Sequence, residues 1–150
     1  MELLVIDGQG GRMGQQLIRC IRERYPQIHT TAVGTNSMAT AAMLKGGAHQ
    51  AATGEHAVLV ACRQADVILG PLGIVVADAL LGEITPAMAA AVGQSRAKRI
   101  LIPVNHCDNI VVGVQDLNLG RLIQEAVELI AAEVKKREAC PGGEAPAAGR

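Results

Sequence analysis

The sequence predicts an α/β fold: a doubly wound, mostly parallel sheet with an antiparallel edge strand and a long C-terminal helix. Three observations lead there. Short apolar runs alternate with stretches of helical periodicity, the pattern of repeated strand–helix–strand units. Four glycines, Gly8, Gly10, Gly11 and Gly14, crowd between the first apolar run and the first helical stretch. The last regular stretch sets Leu119, Leu122, Ile123, Ala126, Val127, Ile130 and Val134 on one stripe.

The elements follow in order. Residues 3–6, Leu-Leu-Val-Ile, suit a strand buried on both faces. Leu17, Ile18, Ile21 and Tyr25 mark a first helix, which ends at Tyr25 because Pro26 disfavours helical geometry in the residue before it. Residues 28–34 form a second strand, favoured by Thr30, Thr31 and Val33. Asn36 or Ser37 caps a helix over 38–45 that Gly46 and Gly47 end. Residues 49–53 read as a third strand and 55–64 as a helix, although Val58, Leu59 and Val60 also suit a strand. Residues 66–70 form the fourth strand, and 74–81 an apolar helix stopped by Gly82. Thr85 and Pro86 are an N-cap and first helical residue for 87–92. Residues 99–104 form the fifth strand, with Pro103 near its end because proline cannot donate to a ladder. The segment 105–109 is too short for a crossover helix, so a strand over 110–114 pairs antiparallel to the fifth. The long helix takes 119–137, with Lys135, Lys136 and Arg137 at its carboxyl end. Residues 1–137 thus make one domain, and 138–150 a disordered tail.

Composition narrows the function. The chain has 150 residues, 49% hydrophobic, with one Tyr and no Phe or Trp, so Ala, Val, Ile and Leu must build the core. No aromatic platform exists to stack bases, and fourteen acids balance fourteen bases, which argues against nucleic acid as a partner. No apolar run approaches a membrane span and no charged leader precedes one, so a cytoplasmic protein is expected. Cys20, Cys62, Cys107 and Cys140 have neither disulfide-scaffold nor zinc spacing, and the four histidines show no i, i+4 pairing, so no metal is expected.

The strand, glycine turn and helix at the start are the context in which a glycine fingerprint carries meaning. G-x-G-x-x-G fails, because position 13 is Met13; G-x-x-G-x-x-G fits Gly8, Gly11 and Gly14. Bare backbone lets a phosphate come close, and the opening helix offers N–H groups and a positive dipole end. In doubly wound sheets ligands sit beyond the carboxyl ends of the strands. The turns that gather there supply the candidate cofactor-binding residues: Gly8, Gln9, Gly10, Gly11, Arg12, Met13 and Gly14; Gly34, Thr35 and Asn36; Gly70, Pro71, Leu72 and Gly73; and Asn105. The turn Thr53-Gly54-Glu55 joins them at that edge. The second strand ends in Gly34-Thr35-Asn36, with no acid for a ribose. Its hydroxyl and amide donors, with Arg12, suit a 2′-phosphate, so NADP(H) is favoured over NAD(H).

The run from Gly8 through Gly11, Arg12, Met13 and Gly14 to Ile18 resembles the nucleotide loop of dihydrodipicolinate reductases, which use NAD(P)H. Those enzymes carry their catalytic residues in an added domain, so none transfers. Over roughly residues 1–130 the chain resembles a bacterial family of small Rossmann-like proteins of unknown function. The residues that carry this are 5–11, Gly34-Thr35-Asn36, 52–55, Gly70-Pro71-Leu72-Gly73 and 102–105. This likeness implies the fold and no activity.

Other residues have two readings. Asp78 is a solvated or a buried acid in an apolar helix. Glu55 is a base or a complement to a helix amino end. His106 and Cys107 are a loop pair with nucleophile and base chemistry, or plain loop. Catalytic residues stay unassigned. The whole supports either a nucleotide-binding protein, with NADP(H) leading and a small reductase in view, or a non-catalytic sensor or scaffold. The latter would act through a homo-oligomer or a protein partner.

Overall fold

The structure, a computed structural model, describes residues 1–104, 109–114 and 118–139. Five parallel strands form one sheet in the order β3-β2-β1-β4-β5. They are β1 (Glu2–Asp7), β2 (His29–Gly34), β3 (Gln50–Thr53), β4 (Val67–Pro71) and β5 (Lys98–Ile102). The helices are α1 (Arg12–Arg24), α2 (Ser37–Lys45), α3 (Glu55–Gln64), α4 (Pro86–Gln94) and α5 (Leu119–Ala139). The five strands and five helices fall within a few residues of their expected places, and the Rossmann-like architecture holds.

The central strand shows why the fold forms. Alternate residues of a strand point to opposite faces. In β1, Leu3 and Val5 pack with Leu17, Ile18 and Ile21 of α1 and with Ile123, Val127 and Ile130 of α5. Leu4 and Ile6 pack on the other side with Val58 of α3 and Met88 and Val92 of α4. A strand apolar on both faces needs helices on both, which the helical crossovers between parallel strands supply.

Two expected elements take other forms. Residues 74–81 are not a helix. A single 3-10 turn, Leu72–Val75, is followed by turns up to Glu83. A β-branched run of Ile74, Val75 and Val76 disfavours helix, and a segment apolar all round has no solvated side. It folds back instead, closed by Asp78 N–H to the Ile84 carbonyl at 2.8 Å, and buries Ile74, Ala79, Leu80 and Ile84. Asp78 is exposed, in left-handed backbone with φ 63°.

The antiparallel edge strand is absent among the described residues: all pairings are parallel, and residues 110–114 hold an exposed turn. The Val104 N–H bonds back to the Ile102 carbonyl at 3.0 Å, a tight turn centred on Pro103. That turn takes the chain off the ladder where β5 ends. The C-terminal helix runs to Ala139, so residues 138 and 139 of the expected tail are helical, and 140–150 lie outside the described residues. No described helix is long and apolar enough to cross a membrane.

Candidate functional site

Because the strands are parallel, their carboxyl ends share one edge. Asp7 pairs in register with Gly34, and Gly34 with Thr53. Between β1 and β4 the order of strands reverses, the place where a crevice opens in such sheets. The turn leaving β1 is closed by Gly11 N–H to the Gly8 carbonyl at 2.9 Å.

The four glycines do different work. A Cβ on Gly11 would lie 2.6 Å from the Ala39 Cα, and Gly11 itself sits at φ 67° as the N-cap of α1. A Cβ on Gly14 would lie 2.6 Å from the Met43 Sδ, and one on Gly8 would meet Glu83, Leu80 and Thr35 at 2.8 Å. These three positions, the ones that fit the seven-residue spacing, are bare so that α1, α2 and the segment after β4 can pack. Gly10 differs: it is exposed, and a Cβ there would have only the Arg12 side chain at 3.9 Å. Close approach from outside is open at Gly10.

Two carboxylates serve this turn. Asp7, 6% exposed, accepts from Gly8 N–H at 2.8 Å and from Gly14 N–H at 2.7 Å. It therefore takes one of the first-turn donors of α1 that a ligand was expected to use. Burial pushes its carboxyl above the ordinary range, with the two N–H bonds opposing. Glu83 comes from the segment before α4. Its Oε2 accepts from Gln9 N–H at 2.8 Å, from Asn36 Nδ2 at 3.0 Å and from the Thr35 hydroxyl. Burial would push Glu83 up, but these three bonds outweigh it and hold the carboxyl below the usual range. Its Oε1 has no hydrogen-bond partner among the described residues.

The remaining candidates fall around this cluster. Asn36 caps α2, accepting from Ala39 N–H at 2.9 Å, and donates to the Gln9 carbonyl at 3.0 Å. Thr35 N–H bonds the Asp7 carbonyl at 3.0 Å. Gly34 packs against Thr40. The N–H groups of Gly10, Arg12 and Met13 have no acceptor among the described residues, and the Arg12 side chain is exposed beside them. Gly70, Pro71 and Gly73 are buried, Gly70 against the Ile6 carbonyl, and Leu72 is half-buried. Glu55 accepts from the Thr85 hydroxyl, bracing the start of α4. Asn105, His106 and Cys107 lie outside the described residues. No three described His, Cys, Asp or Glu gather to hold a metal.

Asp7 and Glu83 were missed from the sequence. Asp7 had a signal, an acid closing a strand buried on both faces just before the glycines. Glu83 had none: nothing in Leu-Leu-Gly-Glu says that it returns to a turn 74 positions earlier. The expected pocket for a 2′-phosphate at Thr35 and Asn36 is occupied by that carboxylate, and their donors are spent on it.

No match was found among curated proteins. Among solved structures the chain is similar to the dodecameric FMN-dependent Ubix-like decarboxylase from Escherichia coli O157:H7. The TM-score is 0.45 at 18% identity, over 88% of this chain and 75% of that one. That likeness assigns no ligand here. The profile of a family described as Domain of unknown function (DUF3842) matches residues 2–135, and the chain belongs to that family.

Proposed function

We propose that this protein binds a phosphate-bearing nucleotide at the carboxyl edge of the sheet, NAD(P)(H) among the ligands that fit. The anion would rest on the N–H groups of Gly10, Arg12 and Met13 with the Arg12 guanidinium, and the ribose would face Glu83. The observation that carries this reading is the bare, open Gly10, whose N–H, like those of Arg12 and Met13 at the amino end of α1, has no acceptor among the described residues. Elsewhere the turn is closed by its own packing. A helix start with that composition attracts anions.

The test is calorimetry and thermal shift with NADH, NADPH, FMN, ATP and inorganic phosphate, on the natural protein and on Gly10→Asp. A ligand that binds only the native state raises its melting point. Binding by the natural protein that Gly10→Asp removes, with folding intact, supports the proposal. No shift with any nucleotide sinks it.

The polar cluster itself, Asp7, Gln9, Thr35, Asn36 and Glu83, contains no His, Cys or Lys, so the proposal stops at binding. The sensor reading has one observation of its own. Leu81 is 96% exposed and Met38 is 68% exposed, and they sit two residues from Glu83 and Asn36 respectively. Apolar side chains at the rim of a ligand site suit contact with a second copy or a partner. Light scattering with and without nucleotide, on the natural protein and Leu81→Asn, would show an assembly that depends on both, or a monomer throughout.

A further inference from the structure

We infer that Glu83 is the ribose acceptor of this site, and that the site therefore takes nucleotides with an unesterified 2′-hydroxyl, such as NAD(H), in preference to NADP(H). This rests on the nucleotide-binding reading above and adds the ligand class to it.

One carboxylate is held asymmetrically. Glu83 Oε2 is fixed from three sides, by Gln9 N–H, the Thr35 hydroxyl and Asn36 Nδ2. Oε1 is on the same rigid group, has no partner among the described residues, and is not buried. A carboxylate held this way has already lost its freedom to turn, so a hydroxyl that donates to Oε1 need not pay for ordering it. Its place matters as much. Gln9 belongs to the glycine turn and Thr35 follows the last residue of β2, which is where dinucleotide sites of this architecture hold the adenosine ribose. Those sites commonly use an acid at the end of β2. Here Gly34-Thr35-Asn36 supplies none, and the segment between β4 and α4 brings one to the same spot. The side chains that sequence alone assigns to a 2′-phosphate, Thr35 and Asn36, instead hold an anion of the protein's own. A second anion there would lose those donors and face like charge.

The experiment compares ADP-ribose with 2′-phospho-ADP-ribose by calorimetry, on the natural protein, Glu83→Gln and Glu83→Asp. The natural protein should bind ADP-ribose about ten- to a hundredfold more tightly, the range for a hydrogen bond to a charged group. Glu83→Gln keeps the shape and removes the charge, and should shrink that ratio by roughly tenfold or more. Glu83→Asp, which draws the carboxylate back, keeps the question open to test if Glu83→Gln does not fold. Equal or tighter binding of the 2′-phosphate ligand by the natural protein overturns the inference and leaves nucleotide binding standing. So does a preference that neither variant alters. Binding of neither ligand, nor of any other nucleotide, removes the nucleotide reading itself and the inference with it.

Discussion

Replacing Gly11 with alanine should cost far more than the same change one residue earlier. The new Cβ at 11 would lie 2.6 Å from the Ala39 Cα, 2.7 Å from its carbonyl oxygen and 3.0 Å from its carbonyl carbon. Those are backbone atoms of α2, which cannot step aside as a side chain can. Overpacking of this kind costs about 1–3 kcal/mol. Position 11 also has φ 67°, and holding a residue with a Cβ in left-handed backbone adds about 1–2 kcal/mol. Restricting the unfolded chain returns about 0.4–1 kcal/mol. The net loss is roughly 1–4.5 kcal/mol, and at this chain length about 2–4 °C of melting temperature accompanies each kcal/mol. At Gly10, with no positive φ and nothing nearer than 3.9 Å, alanine should stay within about 0.5 kcal/mol of the natural protein. With no Trp and one Tyr, denaturant titration followed by circular dichroism is the suitable assay. A Gly11→Ala protein as stable as the natural one would refute the packing role given to this glycine. Equal losses at 10 and 11 would refute the division of the turn into packed and open positions.

Further tests bear on other parts. Leu81 has φ 58° and is 96% exposed, so Leu81→Gly should raise stability by about 0.5–1 kcal/mol, by relieving left-handed strain without loss of packing; a loss in urea titration would mean that Leu81 packs against something. Removing Asp7 leaves two N–H groups under-satisfied at a buried position, and Asp7→Ala should lower stability by about 1–3 kcal/mol even though it removes a buried acid. Glu83 is held below its ordinary 4.5, so it contributes stability that is present above that value and lost as pH falls through the lower folded value. Acid titrations of the natural protein and Glu83→Gln should converge at the acid end, and parallel curves throughout would deny the linkage. Burial lifts the Cys62 thiol to about 11, so at pH 8 iodoacetamide should label it far more slowly than an unfolded control.

Most of the fold was legible because its signals are local. Apolar runs of strand length, helical stripes and cap residues such as Asn36 and Thr85 act within a few residues of themselves, and each lies where those rules put it. The segment after β4 was illegible for the opposite reason. Its apolar residues fit a helix by count, but β-branching and Gly82 let tertiary burial of Ala79, Leu80 and Ile84 choose turns. The strand expected at 110–114 failed where the turn at Pro103 takes the chain off the ladder.

The candidate site divides the same way. The glycine turn, the edge it occupies and the cap at Asn36 were readable. Which glycines pack and which one is open depends on Ala39, Met43 and Leu80, residues far along the chain. The charge at the end of β2 depends on Glu83, whose arrival is a product of the fold. A motif read without that carboxylate leaves Thr35 and Asn36 free for a 2′-phosphate, whereas the fold engages both with Glu83.

The most direct test of the central claim is the amide spectrum of the 15N-labelled protein, titrated with ADP-ribose. Binding at the carboxyl edge predicts saturable shifts led by the Gly10, Arg12 and Met13 amides, with the Gln9 amide and the Asn36 side chain following as Glu83 takes up the ribose. Shifts confined to another face, or a spectrum unchanged at millimolar ligand, would contradict it.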